Sequence, residues 1–352
     1  MATEVTAVAA NEYIPTDADF VLKKNGADIE VDTNFASQSF WKEVIARFIR
    51  KRSAVLGLLF VIVITFFAFV GPGMNSYTYS GQNLDQKNLA PRIPVIEYTG
   101  LFDGHENINT TSGTKTVNYY FEKQLPDTFY WFGSDNFGRD IWTRTWSGAQ
   151  VSLIIAVAAA VIDMIIGMSY GLISGYFGGK VDMVMQRILE IANGIPRLVI
   201  VTLLLLVFKP GMITIIIALM LTEWVGMSRI ARAEMLKLKE QEFVLASRTL
   251  GAGSMHIIFS EILPNIIGPI ITQVMFSIPT AIFTEAFLSF VGLGIPVPRC
   301  SLGSLISEGF NSFTTHPYQI IPPIIVMALL MLSFNLVADG LREALDPKLK
   351  EM

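Results

Sequence analysis

Charge is scarce in this chain. Only 16% of its 352 residues are Asp, Glu, Lys or Arg, against 52% hydrophobic, whereas soluble domains are about a quarter charged. The deficit turns the reading toward the membrane. A net charge of −4 without any basic domain leaves no footprint for nucleic acid. Cys300 is the only cysteine, which excludes an intrachain disulfide and a multi-cysteine metal site and leaves a structural role for that thiol. His256 is read as a surface residue and carries no metal role. A Gly-x4-Gly-Lys-Ser/Thr phosphate loop is missing, since Gly178–Lys180 is followed by Val181. The chain is therefore expected to hold no catalytic residues, no metal and no cofactor of its own. The first forty residues are polar and acidic (Glu4, Glu12, Asp17, Asp19, Asp28, Glu30, Asp32) and lack the basic start and apolar centre of a signal peptide. They read as a disordered tail. No internal repeat or low-complexity tract stands out.

What the chain does have is long apolar runs. A membrane span needs roughly 20 mostly apolar residues, and six are expected: 53–70, 151–174, 189–208, 212–229, 266–288 and 320–337. Asn193, Pro196 and Arg197 interrupt the third. An interfacial helix over 37–50 precedes the first. Lys42, Arg47, Arg50, Lys51 and Arg52 flank that first span, which puts the N-terminus in the cytoplasm. Six crossings return the C-terminus there, in agreement with Arg342, Lys348 and Lys350. The segment 74–150 then lies outside. Its Pro and Gly punctuation predicts turns, and the β-branched and aromatic stretches 93–101 and 114–121 predict a small extracellular subdomain with β-structure.

The polar segment Glu242–Pro264 lies between two apolar spans, on the cytoplasmic side by charge. Phe243, Ala246, Ser247 and Leu250 share one helical face at i, i+3, i+4 and i+7. Small Ala246 and Ser247 permit close approach, and Phe243 and Leu250 supply apolar anchors. Gly251 suits a left-handed helix end, and Pro264 is expected to stop the second helix of the loop. An ordered helix–Gly–helix insert of this kind implies a soluble partner docking there.

The order of residues along the chain resembles a known family. Leu245-Ala246-Ser247, Gly251 and Glu261-Ile262-Leu263-Pro264 are similar to the cytoplasmic "EAA" loop of bacterial ABC-importer permeases, with Leu245, Ser247 and Glu261 departing from its pattern. Phe132-Gly133-Ser134-Asp135 with Gly138-Arg139-Asp140, and Gly171–Gly179, resemble motifs at both ends of the second span in C-type permeases of oligopeptide and dipeptide importers. Glu285–Gly294 and Asp339–Pro347 resemble the two motifs that follow.

The resemblance implies an all-α membrane protein with about six transmembrane helices of the ABC importer permease type and a small extracellular insert after the first. It implies a tail over 1–40, a lead-in and first helix over 41–73, an insert over 74–150, a core over 151–340 with its loop at 230–264, and a cytoplasmic tail over 341–352. Implied partners are a homologous B-type permease, two cytoplasmic ATPases holding ATP and magnesium, an extracellular peptide-binding lipoprotein and the lipid bilayer of the cell membrane. Phe243, Ala246, Ser247, Leu250 and Gly251 would couple to the ATPases. Leu302 stands where the family has Trp, so no Trp contact is carried over.

For the pathway, ionisable residues inside spans are costly and draw attention. Asp163 either lines the path or pairs structurally with a neighbouring helix. Thr272, Gln273, Ser277 and Thr280 give the fifth span a polar face that serves either transport or packing. Glu285, near the outer end of that span, reads as a hinge or gate. Three alternatives stay open on sequence: an ABC permease for nickel or another small solute, an ion-coupled secondary transporter, and a receptor or assembly protein whose outer subdomain does the work.

Overall fold

The computed structural model describes residues 40–346 other than Leu101, Thr111 and Ser112. The expected acidic tail and the last residues of the C-terminal tail lie outside the described residues.

Helices form wherever the apolar runs are long, because in lipid every backbone N–H and C=O must be satisfied within its own segment. The first two, α1 (Phe40–Arg50) and α2 (Arg52–Val70), meet at Lys51. Val44 and Phe48 of α1 are buried with Val337 and Ala344 near the C-terminal end of the chain. The next long helix starts at Ile141, ten residues before its apolar run, because the Asp140 carboxylate caps it by accepting from the Thr143 N–H at 2.8 Å.

Between these lies the insert. Its antiparallel pair is β1 (His105–Thr110) with β2 (Gly113–Asn118), followed by the short α3 (Tyr119–Glu122). The strand expected at 93–101 is instead a tight helical turn, Ile96–Thr99, entered at Val95 with φ 72° and left at Gly100 with φ 77°. Pro94 has no N–H to give a ladder, and that breaks the β-branched run.

The core follows. α4 (Ile141–Ile162), a wide turn over Asp163–Gly167 and α5 (Met168–Phe177) make one helix of 37 residues. α6 (Gly179–Gly194) and α7 (Arg197–Val207) are bent 80° apart at Ile195-Pro196. α8 (Met212–Thr222) runs on into α9 (Trp224–Leu238) as one span. After α10 (Glu242–Thr249), the short α11 (Ser254–His256), a wide turn over Ile257–Ile262 and α12 (Leu263–Leu288) form a helix of 40 residues ending at Leu293. α13 (Leu302–Asn311) and α14 (Ile321–Leu345) complete the chain. Among the described residues, five helices are long and apolar enough to cross a membrane, and six if the bent pair counts as one span. The protein is a multi-pass membrane protein.

Pro264 does not stop a helix. The wide turn just before it displaces the carbonyl its ring would strike, so the helix continues from the loop into the span.

Helix packing rests on small residues. Gly167, Gly171 and Gly175 recur every four residues and lie against α9. A β-carbon on Gly171 would fall 2.2 Å from the Ser228 carbonyl oxygen, and one on Gly175 would fall 2.8 Å from the Met235 side chain. This close approach is how helices associate where lipid removes the hydrophobic drive. The bidentate pair Arg232–Asp182, at 2.6 Å on both arms, ties α9 to α6 beside it.

Candidate functional site

The loop after α9 has an inward and an outward side. Val244 is its anchor, fully buried with Leu172, Met235, Ile257 and Ile258. Sequence reasoning passed over Val244, although it lies one residue from Phe243 and three from Ser247. Phe243, Ala246 and Leu250 point outward, Leu250 at 88% exposure, and Ser247 is half-buried. Arg248 lies over the Tyr176 ring at 5.6 Å, and the Lys239 ammonium donates to the Gly175 carbonyl at 3.2 Å, so the loop is braced against the end of α5.

α10 closes in a Schellman motif. The Gly251 N–H donates to the Arg248 carbonyl and the Ala252 N–H to the Ser247 carbonyl, both at 3.0 Å, with Gly251 at φ 86°. The result is a rigid, partly apolar knob carried on the helix pair α9 and α12.

Inside the spans, Asp163 and Ser277 meet across 114 residues. The Ser277 hydroxyl donates to Asp163 Oδ2, and Asp163 is almost wholly buried at the wide turn after α4. Thr272 and Gln273 line a cleft of about 560 Å³ with Glu234, Lys237 and Arg342, toward the loop end of α12. Thr280 is exposed and bonds back to the Phe276 carbonyl at 2.9 Å.

Glu285 is elsewhere and fully buried. It accepts from Ser152 at 3.0 Å and Ser289 at 2.7 Å, and Ser152 also accepts the Leu302 N–H at 3.2 Å. Glu285 is thus a cross-link among α4, α12 and α13, away from any open surface. Leu302, the first residue of α13, is buried as well.

A second intramembrane cluster escaped the sequence reading. Arg197 Nη1 donates to the Thr284 hydroxyl and pairs with Glu223, each at 2.9 Å. Glu223 lies within an expected span, and the rule that flagged Asp163 could have found it.

At the insert end, the motif before α4 is a buried charge network. Asp135 accepts from the backbone N–H groups of Phe137 and Arg139 and pairs with Arg139 Nε at 2.6 Å. Arg139 and Arg144 both reach Glu308 on α13. Gly138 is forced at φ 68°, since a β-carbon there would fall 1.7 Å from the Asn83 carbonyl oxygen. The insert is joined to this network, with Ser134 Oγ accepting the Leu89 N–H at 2.8 Å and Glu106 pairing with His316 at 3.0 Å. Burial pushes the Asp140 carboxyl above its ordinary value, against the hydrogen bonds from Thr143 and Asn75.

Comparison with known proteins fits this arrangement. A family model described as a binding-protein-dependent transport system inner membrane component matches residues 167–351. Another, the N-terminal TM domain of oligopeptide transport permease C, matches residues 39–91. The oligopeptide transport system permease protein OppC of Bacillus subtilis (strain 168) is 40% identical over 315 residues, covering 90% of this chain and 92% of that protein. The dipeptide transport system permease protein DppC of Lactococcus lactis subsp. cremoris (strain MG1363) is 40% identical over 342 residues, covering 95% and 98%. The OppC of Escherichia coli (strain K12) is 33% identical over 332 residues, covering 93% and 98%. Among solved structures, an inward-facing MetNI methionine ABC transporter chain is similar in fold, with TM-score 0.50 and 17% identity over 58% of this chain and 96% of that one.

Proposed function

The chain belongs to the binding-protein-dependent inner-membrane transport components, and from that membership we propose that it is the C-type permease subunit of an ATP-driven importer of oligopeptides or dipeptides. The names of its relatives support the peptide cargo. The chain works beside a second permease, and separate ATPase subunits that bind ATP and magnesium supply the energy. It carries no catalytic residue itself.

The observation that carries this reading is the outward face of α10. Phe243, Ala246 and Leu250 form an exposed apolar knob that Val244 and the Gly251 cap hold rigid. Such a face serves as a ball for a socket on an ATPase. The Lys and Arg around α1 support a cytoplasmic N-terminus, with the knob on the same side. Closure of the ATPases would then pull on α10. Because α11 runs unbroken into α12, the pull passes along the helix that carries Gln273, Ser277 and Thr280. The permease pair would switch between outward and inward access as rigid bodies.

The insert lies outside in this orientation. Val95, Tyr98 and Phe121 are strongly exposed there, which supports docking of a peptide-binding lipoprotein on that surface.

The test is peptide uptake and ATP hydrolysis by the reconstituted complex carrying Phe243→Asp or Gly251→Pro. Loss of both activities with the permease pair still assembled is expected. Normal ATP-driven uptake in both variants would overturn the coupling role.

A further inference from the structure

We propose that Arg197 and the N-terminus of α7 form a carboxylate site in the translocation pathway, which takes the C-terminal carboxylate of a peptide in transit. The site rests on the peptide-importer reading above and adds to it a named point of substrate contact.

Arg197 bridges Glu223 and Thr284, which belong to two different spans. At ~1.5 Å per residue, Glu223 lies about 16 Å from the helix end at Met212, and Thr284 about 14 Å from the end at Leu293. Both put the guanidinium near the middle of a hydrocarbon core ~30 Å thick. A cation at that depth faces protein or a water-filled cavity, because lipid tails penalise it heavily. Yet the Arg197 side chain is 40% exposed. Its open side therefore looks into the space between this chain and its partner permease, or into the pathway.

Nη1 serves both Glu223 and Thr284, and among the described residues Nε and Nη2 make no hydrogen bond. Those N–H groups remain for an incoming acceptor, and a guanidinium matches a carboxylate through two parallel bonds.

The broken backbone adds donors independently. Pro196 precedes α7 and offers no side-chain cap, so the Arg197 and Leu198 N–H groups that open this eleven-residue helix are uncapped, while those of Val199 and Ile200 donate to the Pro196 carbonyl. Interrupted helices at membrane depth are tolerated where they line a cavity, and their N-terminal ends favour anionic substrate groups. Glu223 balances Arg197 when the site is empty, which keeps binding weak enough for release, as passage through a membrane requires.

The experiment uses the whole importer in liposomes, with tri-alanine and its C-terminal amide as substrates and the binding protein's affinity for each measured separately. Arg197→Gln should lower uptake of the free peptide by about tenfold or more, the loss expected for hydrogen bonds to a charged group. Uptake of the amide, which lacks the carboxylate, should stay near wild type. Arg197→Lys, which keeps the charge and loses the planar fork, should fall between. The double variant Arg197→Gln with Glu223→Gln removes the carboxylate that the single change strands, and should show the same peptide selectivity. Equal loss on both peptides, no loss on either, or failed assembly of both Gln variants would overturn the site and leave Arg197 a structural brace. Wild-type vesicles that import neither peptide would overturn the importer reading, and the site with it.

Discussion

Arg144 and Glu308 stand 164 residues apart in the chain and meet through two hydrogen bonds of 3.0 and 2.9 Å. Arg139 reaches the same carboxylate at 2.6 Å. One acidic residue on α13 thereby pairs with two buried guanidiniums at the start of α4, sharing their charge with Asp135, and joins the motif before the second span to the segment between the fifth and sixth. Removing it leaves Asp135 alone to balance both.

Glu308→Ala is therefore expected to destabilise the folded chain. A fully buried pair broken on one side costs about 3–5 kcal/mol. Since the Glu308 side chain is about a third exposed, solvent screening brings the expected cost below that range, to roughly 2 kcal/mol. The thermal midpoint of the purified complex in detergent measures this. Glu308→Gln should recover part of the loss through its amide oxygen. An unchanged midpoint for Glu308→Ala would mean that the network contributes nothing to stability.

Gly171 and Gly226 give a matched comparison within the bundle. A β-carbon at Gly171 meets the backbone of α9 at 2.2 Å, whereas one at Gly226 meets nothing within 4 Å. Gly171→Ala must push α5 and α9 apart, and overpacking of this kind costs about 1–3 kcal/mol. Gly226→Ala should be neutral or mildly stabilising, since alanine is the better helix former. Equal behaviour of the two in a thermal melt would argue against close α5–α9 contact as the reason for the glycine spacing.

The two sides of α10 should separate folding from coupling. Val244→Asp buries an unpaired carboxylate beneath the loop, so local order and the ATPase seat should be lost together, with faster proteolysis after Lys239. Leu250→Asp adds a charge at a position 88% exposed and should leave the loop protease-resistant while ATP-driven uptake falls. Identical proteolysis patterns for the two would contradict the inward and outward assignment.

Much of the architecture was legible because it is written locally. Apolar runs report spans, and the Gly251 helix end depends on residues no more than five apart. Failures came where a neighbour in space decided the outcome. The interruption of the third span at Arg197 is real, an 80° bend, but the partners of that residue, Glu223 and Thr284, are supplied by other helices and stay hidden from a local reading. Glu285, expected as a structural hinge or gate, is enclosed by Ser152 and Ser289, partners that only the folded chain brings to it. Ser277 stands out in the sequence by its polarity alone. Its partnership with Asp163 depends on the wide turn at 163–167, which no local pattern announces. Pro264 was read by its usual effect, and a second wide turn cancels that effect.

Cys300 offers a check on the packing between the insert end of α4 and α13. Its thiol donates to the Arg144 carbonyl at 3.4 Å and is 2% exposed. Burial pushes the thiol up to about 11, with nearby Arg144 pulling weakly the other way. The native protein should resist maleimide at neutral pH, since the reactive species is the thiolate, and label fully once unfolded in detergent. The sign of the pH effect follows from the same shift. The folded chain keeps a proton that the unfolded chain sheds from about pH 9 upward, so this contribution is complete below about pH 9 and is lost as pH rises toward about 11. Between those limits the thermal midpoint of the wild type should fall more steeply than that of Cys300→Ala. Rapid labelling of the native complex at neutral pH, or parallel midpoint curves for the two proteins, would show that the thiol is open to solvent.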